Sequence, residues 1–278
     1  MQKSEKLYSD IAPTRLRNRK EKQRKAQNLP FWTWLADRIL FRMLSHRFYA
    51  LRIKNLETFE QKRDKRYPCI LYAPHNNWWD GIVGYNLMRR AFKVKTRMMI
   101  EELNRFPLFA LIGAFPVNKA SAQEAMKALV YIANDLIKDP TLGFWIFPQG
   151  IVRPPNYRPI EFQTGLTYVA QKVAKELGGV NLVPVAVNYT FLREDRPECL
   201  AEVGEPIVVT ADNCNFDRHE FTKKLAVDFE KLCDEQLSTF SKGEVTGYEY
   251  VFRQDLPWNR KLEKKLKNIG LENVEQQN

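Results

Sequence analysis

The sequence lacks a run of about 18 apolar residues, so no membrane-crossing helix is expected. It opens on charged residues without an apolar core segment, so no secretory leader is expected either. Cysteine is scarce: Cys69, Cys199, Cys214 and Cys233 stand far apart, without the paired spacing of a metal site. A reducing compartment and no structural zinc are the expectation. Glycine forms no phosphate-cradling loop of the P-loop or dinucleotide type. No internal repeat appears, and no Pro- or Gly-rich linker cuts residues 48–240. Acids are the minority charge, 33 Asp and Glu against 44 Lys and Arg, for a formal net charge of +11. Such an excess points to an anionic partner: nucleic acid, an anionic membrane or an acidic carrier protein. No nucleic-acid-binding motif accompanies the charge, which sets nucleic acid aside.

What is present falls into four parts. Residues 1–28 carry nine Lys and Arg against three acids and few apolar side chains, the pattern of a basic flexible arm. Residues 29–53 change character. Phe31, Trp32, Trp34, Leu35, Ile39, Leu40, Phe41, Met43 and Leu44 form a wide apolar face at helical spacing, with Asp37, Arg38, Arg42, Ser45 and His46 on a narrow polar strip. A helix of this kind suits a bilayer interface or the surface of its own domain; the adjoining basic arm supplies a second membrane signal. Residues 48–240 alternate strand and helix, with apolar runs at 68–72, 94–100, 142–147 and 183–189. Ser121 and Glu124 form a capping box ahead of a helix that ends at Asp139-Pro140. The pattern predicts an α/β domain with a mostly parallel central sheet flanked by helices. Residues 241–278 read as a charged tail.

Ligands of open α/β sheets gather beyond the carboxyl ends of strands. Three turns are expected there: His75 to Asp80, Gly113 to Lys119, and Phe147 to Arg153. In the first, "HNNWWD", an aspartate in the opening turn of a helix can reach back to one imidazole nitrogen and orient the ring. The other nitrogen is then free to take a proton. Alone this spacing is weak evidence, because a histidine at a helix start is more often structural.

The turns "HNNWWD", "GAFPVNK" and "FPQGIVR", followed by "VPV" at residues 183–185, occur in the order and approximate spacing of a known family. Over about residues 48–215 the chain resembles the glycerolipid acyltransferases of the lysophosphatidic-acid acyltransferase type. The resemblance implies transfer of a fatty acyl group from a thioester, acyl-CoA or an acyl carrier protein, to a hydroxyl of a lysophospholipid or related lipid. It makes His75 the general base and Asp80 its orienting partner, with no covalent acyl-enzyme, metal or cofactor. Backbone N–H groups at the helix start would stabilise the oxyanion. Gly113, Lys119, Phe147, Pro148, Gln149, Gly150 and Arg153 would form the substrate-binding surface, with Lys119 and Arg153 on an anionic group. The chain departs from the family pattern in Pro74 and Asn77 around the histidine, and in Lys119 where arginine is usual. It also has Gln149 for the usual glutamate and an arginine displaced by one position, at Arg153. The reaction type is thereby better supported than the acceptor. The basic run Arg89, Arg90, Lys93, Lys95 and Arg97 offers a solvated face or a dock for a carrier protein. A peripheral protein on the cytoplasmic face of a membrane is expected. A non-catalytic lipid-binding protein on the same fold is the rival.

Overall fold

The computed structural model describes residues 24–101, 103–118, 121–192, 194–254 and 258–268. Nine strands form one sheet in the order β4-β3-β5-β2-β6-β7-β1-β9, with β8 on β6. The strands are β1 (Ala50–Lys54), β2 (Cys69–Tyr72), β3 (Lys95–Ile100), β4 (Ala114–Pro116), β5 (Leu142–Ile146), β6 (Gly179–Thr190), β7 (Glu198–Val203), β8 (Ile207–Thr210) and β9 (Glu249–Arg253). The pairs β3–β4, β3–β5, β2–β5, β2–β6 and β1–β7 are parallel; β6–β7, β6–β8 and β1–β9 are antiparallel.

Side chains of successive strand residues face opposite ways, and the two faces bury two cores. Cys69, Leu71, Trp145, Val183, Val185 and Val187 point to one side. Helices α1 (Pro30–Arg47), α2 (Leu56–Lys62) and α3 (Asp80–Arg90) cover it with Leu40, Leu44, Phe59, Val83 and Leu87. Ile70, Tyr72, Phe144, Ile146 and Leu182 point to the other. There α4 (Ala122–Lys138), α5 (Gly165–Leu177) and α6 (Arg218–Ser241) supply Ile132, Leu136, Val169, Val173, Leu225 and Phe229. A last helix, α7, spans Trp258–Asn268. Of the predicted capping box, the N-cap half forms: the Ser121 hydroxyl accepts the N–H of Glu124 at 3.2 Å, while the Glu124 carboxylate pairs with Lys127 at 2.6 Å.

Several expectations are corrected. Helix α1 stops at Arg47, and the chain turns directly into β1. Asp37 does not lie on a solvated strip. It accepts from Tyr85 at 2.9 Å and from Arg89 at 2.9 Å, which fastens α1 to α3. Of the basic arm, residues 1–23 lie outside the described residues. Residues 26–29 are pinned along the sheet edge: Gln27 N–H donates to Ala110 O at 2.8 Å, and Leu29 N–H to Leu111 O at 3.0 Å. Within the segment expected to be a tail, β9 joins the sheet on β1.

Candidate active site

The parallel strands β2 and β5 end side by side, with Tyr72 opposite Ile146. The turns that follow them, residues 73–79 and 147–153, are bonded to each other. Gln149 Oε1 accepts the N–H of His75 at 2.8 Å, and the N–H of Arg153 donates to His75 O at 2.8 Å. Both peptide groups of His75 are therefore held by the third block. Its imidazole lies flat against Phe147, with ring centroids 4.3 Å apart and planes 11° from parallel. Gly150 closes the turn beneath, its N–H on Phe147 O at 3.0 Å and its φ of +73° in the region that favours glycine. Gln163 donates its N–H to Pro148 O at 2.8 Å, so the stretch just ahead of α5 pins this loop.

Asp80 opens α3 and is buried. One carboxylate oxygen, Oδ2, faces His75 Nδ1 at 2.9 Å and accepts the backbone N–H groups of Asn76 at 2.5 Å and Asn77 at 2.8 Å. The other, Oδ1, accepts the hydroxyl of Tyr189 at 2.6 Å. A negative charge also sits well at a helix N-terminus. A carboxylate only accepts, so the proton between the pair belongs to Nδ1, and Nε2 carries the lone pair. The His75 side chain is 26% exposed and the Asp80 side chain 3%. A half-open imidazole on a buried carboxylate is the arrangement of a general base with its orienter.

Cysteine is not positioned to compete as a nucleophile. Burial pushes the thiol of Cys69 up to about 11 and that of Cys233 to about 12. Burial, with the Asp80 charge, raises Cys199 well above its ordinary value. At neutral pH these remain thiols rather than thiolates.

A family model described as Acyltransferase matches residues 50–188, half of the chain, including His75, Asp80 and the 147–153 turn. The chain belongs to the Acyltransferase family. Among solved structures it is similar to the 1-acyl-sn-glycerophosphate (LPA) acyltransferase PlsC of Thermotoga maritima. The TM-score is 0.52 at 16% identity, over 73% of this chain and 79% of that one. At that identity the likeness speaks for the fold: an α/β sheet flanked by helices. No curated protein matches the chain.

In this acyltransferase the remaining site residues divide. Phe147, Pro148, Gln149, Gly150 and Arg153 gather around His75. The Arg153 guanidinium lies over the Tyr157 ring at 4.6 Å, which directs it along the outer face of the loop. Lys119 lies outside the described residues. Gly113 stands at the entry of β4, not at its carboxyl end. Its φ is +106°, and a Cβ there would meet Thr96 O at 2.1 Å, so the position serves the backbone. Of the backbone N–H groups just ahead of the helix start, those of Asn76 and Asn77 are taken by Asp80. The basic run is largely consumed within the chain: Arg89 on Asp37, Arg90 over Phe41, Lys95 on Asp139 and Arg97 on Asp135. Tyr189 was not anticipated. Strand alternation places it on the same face as Val185 and Val187, but no local signal ties it to Asp80, 109 residues away.

Proposed function

We propose that this acyltransferase moves a fatty acyl group from an acyl thioester, acyl-CoA or acyl carrier protein, to a hydroxyl of a lysophospholipid or related lipid. The observation that carries the reading is the His75–Asp80 pair, with Nδ1 engaged and Nε2 left as the base. The acceptor hydroxyl gives its proton to Nε2 as its oxygen bonds to the thioester carbonyl carbon. The tetrahedral intermediate then collapses, the C–S bond breaks, and the imidazolium returns the proton to the leaving sulfur. Asp80 stabilises the imidazolium in between. General-base assistance of this kind is worth roughly 10²–10⁴-fold.

The same reading places the protein at a membrane surface. On α1, Phe31 and Trp34 are 63% and 51% exposed, beside the exposed Arg38, Arg42 and Arg47. At the mouth of the site Trp78, Ile151 and Phe191 are exposed. Each is within a few residues of a group bonded to the catalytic pair: Asn77, Gln149 and Tyr189. Among the described residues no helix is long and apolar enough to cross a membrane. Attachment by apolar side chains and basic charge together is the mode this surface supports. The test is transfer of labelled acyl groups from a thioester to a panel of vesicle-borne acceptors. An ester product on one of them supports the reading, and thioester binding without transfer supports the non-catalytic rival.

A further inference from the structure

The carboxylate of Asp80 is gripped from two sides. Three donors converge on Oδ2: His75 Nδ1 and the N–H groups of Asn76 and Asn77. Those donors all belong to one short loop and move with it. The Tyr189 hydroxyl, 2.6 Å from Oδ1, is the grip that comes from elsewhere. It is carried by β6, a strand buried in the sheet and bonded to β2 on one side and β7 on the other. The Tyr189 ring packs against Phe48 at 5.5 Å, and Phe48 in turn meets Trp79 at 5.6 Å. The phenol is thus carried by the frame, with the Asn77 side chain of the loop also beside its hydroxyl. Burial, reinforced by the Asp80 charge, raises its pKa well above the ordinary value, so it remains a donor at every working pH.

A carboxylate anchored at one oxygen alone can swing about its Cβ–Cγ bond. Anchored at both, it offers Oδ2 to the imidazole in one orientation. We propose that Tyr189 is a positioning residue of the acyl-transfer site: its hydroxyl locks the Asp80 carboxylate so that His75 Nε2 points steadily at the acceptor. It touches neither substrate, and it acts through Asp80 and then His75. This inference rests on the reading of His75 as the general base. The chain is then a three-member relay of orientation, Tyr189 to Asp80 to His75, whose last member moves the proton. The phenolic proton stays on Tyr189 throughout.

The test substitutes Tyr189→Phe, which keeps the ring on Phe48 and removes only the hydroxyl. Loss of a hydrogen bond to a charged group predicts roughly a 10–100-fold fall in kcat. KM for thioester and acceptor should be unchanged. A double-mutant cycle with Asp80→Ala separates positioning from general stability. Once the carboxylate is gone, Tyr189→Phe should cost no further kcat. A second readout needs no turnover. The chain has three histidines, so in ¹⁵N-histidine-labelled protein the Nδ1–H signal of His75 can be assigned by its loss in His75→Ala. It should appear far downfield in the wild type and broaden or move upfield in Tyr189→Phe. A folded Tyr189→Phe protein with wild-type kcat and an unmoved Nδ1–H signal overturns the proposal. A kcat loss that persists in full in the Asp80→Ala background also overturns it. A moved signal in a protein that transfers no acyl group upholds the positioning and removes the acyltransferase reading instead.

Discussion

Gln149 is one of the departures from the family pattern, and the structure gives its side chain a definite task. It is 7% exposed, and its Oε1 accepts the backbone N–H of His75 at 2.8 Å. Gln149→Leu preserves approximate size and removes the acceptor, which leaves that N–H without its partner in a closed loop. An unsatisfied buried donor costs about 1–3 kcal/mol. For a chain of this size each kcal/mol moves Tm by about 2–4 °C, so a fall of roughly 2–12 °C is expected by calorimetry. The effect on turnover should exceed the effect on stability. The freed loop carries His75, the proposed base, and a displacement of about 1 Å at a reacting group costs on the order of 10²-fold. Gln149→Glu retains an acceptor oxygen and should melt above Gln149→Leu. Run on the same acceptor panel, it also tests whether the neutral amide sets acceptor preference. A leucine variant that melts and turns over as the wild type does would show that this bond positions nothing.

Two further outcomes follow from other parts of the structure. Gly113→Ala should be strongly destabilised or insoluble, because the added methyl would meet Thr96 O at 2.1 Å in a backbone conformation with φ of +106°; an alanine variant with unchanged Tm would refute the geometry of that turn. Phe31→Ser with Trp34→Ser should weaken sedimentation with anionic vesicles while leaving Tm unchanged, and binding of the wild type should fall in high salt as surface charge is screened; undiminished vesicle binding by the double variant would take α1 out of the membrane contact.

The His75–Asp80 pair was legible because its geometry is local. His75 and Asp80 lie on one loop-to-helix junction, so their spacing alone permits the contact. The N-cap at Ser121 was legible for the same reason. Partners brought together by the sheet were not. Tyr189 reaches Asp80 only because β6 lies beside β2. Strand β7 escaped because Glu198 and Glu202 break the apolar pattern of its sequence. In the fold these acids are neutralised across the parallel β1–β7 pair, by Arg52 at 2.6 Å and Lys54 at 3.0 Å. Glu202 also accepts from Tyr248 at 2.8 Å, just before β9; that strand, with Tyr250, Val251 and Phe252, lies in a stretch read as a charged tail. Helix α5 begins only at Gly165, because the chain just before it is spent on other bonds, Ile160 N–H on Glu230 and Gln163 N–H on Pro148. The basic run from Arg89 to Arg97 looked like a free face because its neutralising acids lie on other elements: Asp37 on α1, Asp135 on α4 and Asp139 just beyond it.

The central claim is that His75 is the base of an acyl transfer. The most direct measurement compares wild type and His75→Ala, both shown folded by their melting curves, in single-turnover transfer from a labelled acyl thioester to the best acceptor of the panel. The account predicts a loss of roughly 10²–10⁴-fold in the alanine variant with thioester binding retained. Transfer at the wild-type rate by a folded His75→Ala protein would contradict it.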